Sequence, residues 1–144
     1  MNNISAAKRL AAKRWDTVQT QHKLADGIWQ FETAGHGGIV VDTDIRPELS
    51  EWNEFVPIKI DSGVGRISEQ HFAAFEEDCE AAIVEWIYAY DIWKPSFRRL
   101  FIKSGLADEE WYTKREEILK HILETYNPDI LTKYPKIRKE KEDK

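Results

Sequence analysis

The spacing of hydrophobic residues predicts three amphipathic helices. The longest covers residues 68–93, where apolar side chains recur every three or four positions, as they do along one side of a helix. It begins at a serine suited to capping and ends at a Lys-Pro pair. The same spacing predicts an N-terminal helix over residues 4–24 and a C-terminal helix over residues 107–126.

Alternating and β-branched residues predict a small antiparallel sheet of about three strands in the first half of the chain. The segments IWQFET and IVVDT form a hairpin over residues 28–42, with AGHGG at its tip. FVPIKID supplies a third strand, and Pro57 favours an edge position for it. Short helical turns are predicted after Pro47 and within residues 96–105. The pattern indicates an α+β fold in which helix 68–93 packs across one face of the sheet.

The length and composition of the chain favour one folded domain. A chain of 144 residues that is 42% hydrophobic and 33% charged can bury a core and is not of disordered composition. We expect a single domain over residues 1–135, made of a basic N-terminal helix (1–26) and a core (27–131), followed by a charged tail (136–144). Most of the tryptophan, tyrosine and phenylalanine side chains are expected in the core.

Several features together predict a cytoplasmic protein. No apolar run approaches the roughly 20 residues that span a bilayer. The first fifteen residues contain no uninterrupted apolar stretch of the kind that a secretory signal needs. The single cysteine, Cys79, cannot form a disulfide within the chain, which is typical of a reducing compartment.

The charge of the chain is distributed unevenly. Residues 25–95 carry four Lys/Arg against fifteen Asp/Glu, whereas residues 1–24 carry five Lys/Arg against one acid. So acidic a middle segment argues against a DNA-binding face there. It is typical of a solvated surface, and it also suits a basic partner.

The hairpin tip contains one histidine among three glycines: Gly35, His36, Gly37 and Gly38. Glycines on both sides of His36 permit positive φ angles and let another group approach the backbone closely. Two interpretations stay open. The glycines set the turn and the histidine is incidental, or His36 belongs to a binding or catalytic site.

An acidic cluster surrounds the cysteine in FEEDCEAA, formed by Glu76, Glu77, Asp78 and Glu80. The simplest interpretation is an exposed acidic helix face. A metal site with His36 lacks a second histidine at ligand spacing, so we predict no metal and no cofactor. Nucleophilic catalysis by Cys79 with His36 is disfavoured, because Cys79 falls on the apolar side of the predicted helix and far from its N-terminus.

The basic N-terminal helix has several interpretations. Four cations, Lys8, Arg9, Lys13 and Arg14, lie mostly off its apolar side. They suit nucleic acid or an anionic membrane. They also suit a solvated face, or a strap paired with the acidic surface.

Three motifs in order resemble an uncharacterised small-domain family of bacteriophage, plasmid and other mobile-element proteins. These are the Thr-Ala-Gly-His-Gly-Gly turn (33–38), the Phe-Glu-Glu-Asp-Cys helix (75–79) and the Tyr-Asn-Pro-Asp segment (126–129), within a resemblance over about 27–131. Asn127 departs from the family's tyrosine-proline pair. The resemblance implies that the protein is encoded on a bacteriophage, plasmid or other mobile element, and it implies no activity. It implies that His36 acts together with the 76–78 carboxylates, either in a ligand site or because the hairpin tip hydrogen-bonds to the helix.

These observations lead to three functional hypotheses. The first is a non-catalytic phage or mobile-element protein that binds, and inhibits, a host protein such as a nucleic-acid-directed defence factor through an acidic, aromatic-rich surface. The second is a small hydrolytic or metal-assisted enzyme that uses His36 with Glu76, Glu77 or Asp78. The third is nucleic-acid binding through the basic helix. The partner's identity and the oligomeric state stay open.

Overall fold

A computed structural model describes residues 4–94, apart from 62 and 64, and residues 108–138. The chain divides into two compact units, Met1–Glu77 and Asp78–Lys144, which are treated separately below. The single domain expected over 1–135 stays a prediction. The short helix expected within 96–105, and most of the charged tail, lie outside the described residues.

The first unit combines one α-helix with an antiparallel sheet. Its elements are α1 (Ile4–Trp15), β1 (Val18–Ala25), β2 (Ile28–Thr33), β3 (Gly37–Asp42), a 3-10 helix (Pro47–Glu51), β4 (Val56–Asp61) and β5 (Ile67–Glu76). The sheet has five strands in the order β1-β2-β3-β5-β4. The α+β class, the hairpin over 28–42 and the edge position of the Pro57 strand are therefore confirmed, whereas the expected number of about three strands is too low.

The helix that covers one face of the sheet is α1. Its Ala6, Ala7, Leu10 and Ala11 are buried in one cluster with Trp29, Phe31, Val40, Phe72 and Ala74 of the strands. Small alanine side chains let the helix lie close to the large aromatic side chains of β2 and β5. The predicted packing of a helix over 68–93 against the sheet is wrong, because most of the first half of that segment is itself a strand.

Residues 67–76 form the strand β5, which lies between β3 and β4. The part of β5 from Phe72 to Phe75 is buried on both faces of the sheet, so its apolar residues do not alternate with polar ones. Phe72, Ala73, Ala74 and Phe75 are all buried, and this continuous run produced an apparent helical spacing. The segment beyond it contains two short helices, α2 (Ala81–Ile87) and α3 (Ala89–Ile92), instead of the end of one long helix.

The N-terminal helix ends at Trp15, well before the predicted end near residue 24. Asp16 has a φ of 101°, which a right-handed helix does not contain, and its amide N–H donates to the carbonyl of Ala12 at 3.0 Å. The Asp16 carboxylate then accepts the amide N–H of Thr17 at 2.8 Å. The chain reverses there and continues as the edge strand β1, whose exposed polar residues had been assigned to the helix.

The second unit is helical in its described part. In addition to α2 and α3 it contains α4 (Asp108–Tyr126) and α5 (Asp129–Lys133). The C-terminal helix is thus confirmed, and it ends before the Asn-Pro pair as predicted. No helix among the described residues is long and apolar enough to cross a membrane.

A buried ion pair joins α2 to α4 within this unit. The guanidinium of Arg115 donates to both carboxylate oxygens of Glu85, each at 2.6 Å, and the indole N–H of Trp93 donates to the same carboxylate at 2.8 Å. Glu85 is only 4% exposed. Burial opposes the charge of Arg115, but hydrogen bonding and attraction from Glu85 outweigh it and raise the pKa of Arg115.

Candidate functional site

The hairpin tip is a compact loop closed by Thr33. The amide N–H of Thr33 donates to the carbonyl of His36 at 2.9 Å, and the Thr33 hydroxyl accepts the His36 amide N–H at 3.1 Å. The same hydroxyl lies 2.5 Å from the carbonyl oxygen of His36 and 3.0 Å from that of Trp15, so its single proton has two acceptors within reach. The loop is therefore held both to itself and to the end of α1.

Gly37 and Gly38 are required by close packing. A Cβ at Gly38 would overlap the carbonyl oxygen of Phe75 and lie 2.7 Å from Cζ2 of Trp15, while one at Gly37 would lie 2.7 Å from the carbonyl oxygen of Phe31. Nothing lies within 4 Å of the corresponding position at Gly35. The expectation of positive φ angles around His36 is wrong, since none of these three glycines has one.

The tip lies beside the end of β5. Glu76 pairs with Gly38 in the sheet, and the amide N–H of Glu77 donates to the carbonyl of Gly37 at 3.0 Å. His36 Nδ1 is 4.0 Å from Glu76 Oε1, with the two side chains 64% and 42% exposed. The tip thus hydrogen-bonds to a strand end, and the expected bond to a helix is wrong.

We call the set Glu32, His36, Glu76 and Glu77 the acidic tip. Glu32 pairs with Gly37 on the other side, from β2, and both Glu32 and Glu77 are exposed. Three carboxylates and one imidazole therefore stand at one end of the sheet, on three adjacent strands or their ends. Like charges so arranged favour a cation or a basic partner over close packing with another acidic surface.

The remaining residues of the predicted cluster belong to the second unit. Asp78, Cys79 and Glu80 lie in a turn between β5 and α2, and the predicted helix over this motif is wrong. Asp78 is exposed, while Cys79 and Glu80 are half-buried. Cys79 lies two positions before the seven-residue helix α2. The predicted position of Cys79 inside a long helix, far from its N-terminus, is therefore wrong.

Replacing Thr33 tests how the tip is held. We expect Thr33→Val to lower the free energy of unfolding by about 1–2 kcal/mol, because a side chain of similar shape leaves the His36 and Trp15 groups without their hydroxyl partner. Thr33→Ser keeps the hydroxyl and is the matched control. Urea unfolding of both variants measures the difference, and equal stabilities would show that the hydroxyl does not hold the loop.

A second polar cluster was not predicted. His71 on β5 places Nδ1 3.2 Å from Asp44, which also accepts the His71 amide N–H at 3.2 Å, while Nε2 is 3.7 Å from Glu69. The carbonyl of His71 accepts both the amide N–H and the hydroxyl of Thr43, at 2.9 and 3.0 Å. These bonds fasten the 43–44 segment to the sheet. No sequence spacing links residues 44 and 71, because only the β3–β5 pairing brings them together.

The arrangement of this cluster favours a structural role. Asp44 and Glu69 face opposite nitrogens of the imidazole, so they cannot join His71 in chelating one ion through the same atom. Within the described ranges, no group of three or more His, Cys, Asp or Glu side chains is placed to hold a metal ion.

Comparison with known proteins bears on the whole chain. Residues 8–143 match DUF7007, a family described as a domain of unknown function. The chain belongs to this family. The DUF7007 match starts inside α1 and extends beyond 27–131, so two thirds of the N-terminal helix that covers the sheet belong to the domain. Neither the curated proteins nor the solved structures contain a match to the chain.

Proposed function

We propose that this DUF7007 protein is a non-catalytic interaction protein, and that its acidic tip binds a basic surface of a partner protein. The observation that carries the proposal is the position of three carboxylates at one end of the sheet, with Glu32 and Glu77 exposed. Opposite charge on the partner speeds association and sets its orientation.

The backbone that carries the acidic tip is held in place by the sheet, which favours binding of a partner. Sheet pairing holds Glu32 and Glu76, and the Glu77 amide is bonded to Gly37. Close packing of Trp15 and Phe75 around Gly38 fixes the strand between them. Charges that are already positioned lose less conformational entropy when a partner binds.

Carboxylates, rather than aromatic side chains, carry this surface. The described tryptophans are buried or half-buried, as are most of the described phenylalanines and tyrosines. Among the described residues, the exposed large apolar side chains are Ile45, Phe55, Ile67, Ile118 and Tyr126. The aromatic part of the surface expected from the sequence therefore adds little to the proposal.

We further propose that the protein acts in the bacterial cytoplasm as part of a phage or mobile element, and that its partner is a host protein. Support for the setting comes from the motif resemblance of the 33–38 turn and the 75–79 segment. A nucleic-acid-directed defence factor suits the chemistry, because such proteins carry cationic surfaces for phosphates and an acidic tip competes for them.

A small enzyme is the second candidate, and the specific observation for it is the 4.0 Å approach of His36 Nδ1 to Glu76. General acid–base catalysis gains from shielding and from pKa values tuned by burial. Both of these side chains are substantially exposed, so the geometry supports binding better than catalysis.

Affinity capture from bacterial lysate tests the proposal. The wild-type chain is expected to retain a protein at low salt, and Glu32→Lys with Glu77→Lys is expected to reduce that binding at least about tenfold through charge repulsion. Asp26→Lys with Asp61→Lys changes the net charge equally, at exposed positions beside the start of β2 and the start of β5, the strand ends opposite to the acidic tip, and is expected to retain the partner. Failure to recover a protein at low and moderate salt, or equal loss in both variants, would contradict the proposal.

A further inference from the structure

The outward side of α1 carries the cations of the N-terminal segment. Lys8, Arg9 and Lys13 are exposed opposite the buried alanine and leucine side chains, and Arg14 is exposed near the helix end. Arg9 also donates to the carbonyl of Lys59 on the edge strand β4 at 3.0 Å, which ties the helix to the sheet. The four side chains therefore stand on a helix that is fixed in place.

The structure excludes insertion of α1 into a membrane and a strap that is held by ion pairs. Insertion of α1 into a membrane requires its apolar side to be free, but Ala6, Ala7, Leu10 and Ala11 are 0–1% exposed in the core. A strap requires ion pairs with the acidic surface, but Lys8, Lys13 and Arg14 form no ion pair with any residue in the described part of the chain.

We infer that the outward face of α1 binds the phosphate backbone of nucleic acid. From Lys8 to Lys13 the helix rises about 7.5 Å, at 1.5 Å per residue. Over that length one strand of B-form DNA presents about two phosphates, at about 3.4 Å along the axis for each. Lysine and arginine side chains have the length and freedom to reach such neighbouring phosphates from one helix face.

The chemistry of the face predicts binding without sequence specificity. Its outward side offers cations and small side chains, including Ser5 and Ala12, and Asp16 adds one carboxylate beyond the helix end. Contacts to phosphate position a protein on nucleic acid, whereas sequence is read from base edges. The end of α1 lies beside Thr33, next to Glu32, so the acidic tip reduces the attraction of Arg14 for phosphate more than that of Lys8 or Arg9, which lie a turn or more away along the helix.

Fluorescence anisotropy with a labelled oligo-dT and with duplex DNA tests the inference. Lys8→Gln with Lys13→Gln is expected to weaken binding by about tenfold or more at 50 mM salt, and to reduce the salt slope by about 1.4 on single strands and about 1.8 on duplex. Lys114→Gln with Lys120→Gln removes the same charge from exposed positions on α4 and is expected to change binding by less than about twofold.

Control measurements distinguish phosphate binding from misfolding and from general attraction to polyanions. Circular dichroism melting is expected to be unchanged in both double variants, since all four positions are exposed. Absence of binding to either DNA, equal weakening in both variants, or equally tight binding to polyglutamate or to phosphatidylserine vesicles would overturn the inference. The Glu32→Lys, Glu77→Lys variant is expected not to weaken DNA binding, so this inference and the proposed function fail independently.

Discussion

Replacing Arg115 by methionine is expected to destabilise the unit formed by residues 78–144 by about 3–5 kcal/mol, the usual cost of breaking a buried ion pair from one side. Glu85 is 4% exposed, and both of its oxygens accept hydrogen bonds from Arg115. Without Arg115 the carboxylate keeps only the indole N–H of Trp93 among these donors. Urea unfolding followed by the fluorescence of the buried tryptophans measures the change.

A double variant separates the buried charge from lost packing. Glu85→Leu with Arg115→Met removes both charges, and replacing a whole buried pair by apolar side chains is often close to neutral. The double variant is therefore expected to recover most of the loss seen with Arg115→Met alone. A single-variant cost below about 1 kcal/mol, the range of exposed pairs, would contradict the assignment of a buried ion pair.

Replacing Gly38 by alanine is expected to lower the free energy of unfolding by at least about 2–3 kcal/mol, as for other overpacked core positions. The new methyl group would overlap the Phe75 carbonyl and press on the Trp15 ring. The carbonyl belongs to a paired strand and cannot move without disturbing the β3–β5 hydrogen bonds. Thermal or urea unfolding followed by circular dichroism measures the loss.

Gly35→Ala is the matched control for this prediction. It adds the same methyl group at the same hairpin tip, where nothing lies within 4 Å and the φ angle is not positive. We expect an unchanged protein or a gain of about 0.4–1 kcal/mol, because alanine restricts the unfolded chain more than glycine does. Equal losses at Gly35 and Gly38 would show that general turn flexibility, and not close packing, explains the glycines.

The hairpin and the C-terminal helix could be predicted because local signals sufficed. IWQFET alternates, IVVDT is β-branched, and glycines separate them, so turn and strands agree. In α4 the buried Trp111, Leu119 and Leu123 share one side, and the Asn-Pro pair stops the helix. Even there, the three–four spacing also puts Ile118 and Tyr126 on the apolar side, and both are exposed in the structure.

The strands β1 and β5 could not be predicted because their environments hide the alternation of side chains. Residues 72–75 of β5 are buried on both faces, so FAAF is a continuous buried run. β1 is an edge strand with few buried positions, and its polar residues continued the apparent helix of α1. The change of direction between α1 and β1 depends on the positive φ angle of Asp16, which no residue pattern specifies.

Three members of the acidic tip, His36, Glu76 and Glu77, were predicted from the sequence, and its geometry was not. The spacing of His36 and Glu76 in the chain says nothing about a 4.0 Å approach, which follows from the pairing of β3 with β5. The role of Gly38 likewise depends on Trp15, a residue from α1 that the sequence places far from the turn. Glu32 was missed because its contribution also comes from sheet register.

Hydrogen–deuterium exchange on the complex with the captured partner tests the central claim most directly. The acidic tip is predicted to be the contact, so slower exchange on binding should be confined to peptides that cover residues 31–38 and 75–78. The outward face of α1 and the exposed side of α4 should exchange as they do in the free protein. Slower exchange at those surfaces, with the peptides of the acidic tip unchanged, would contradict the claim.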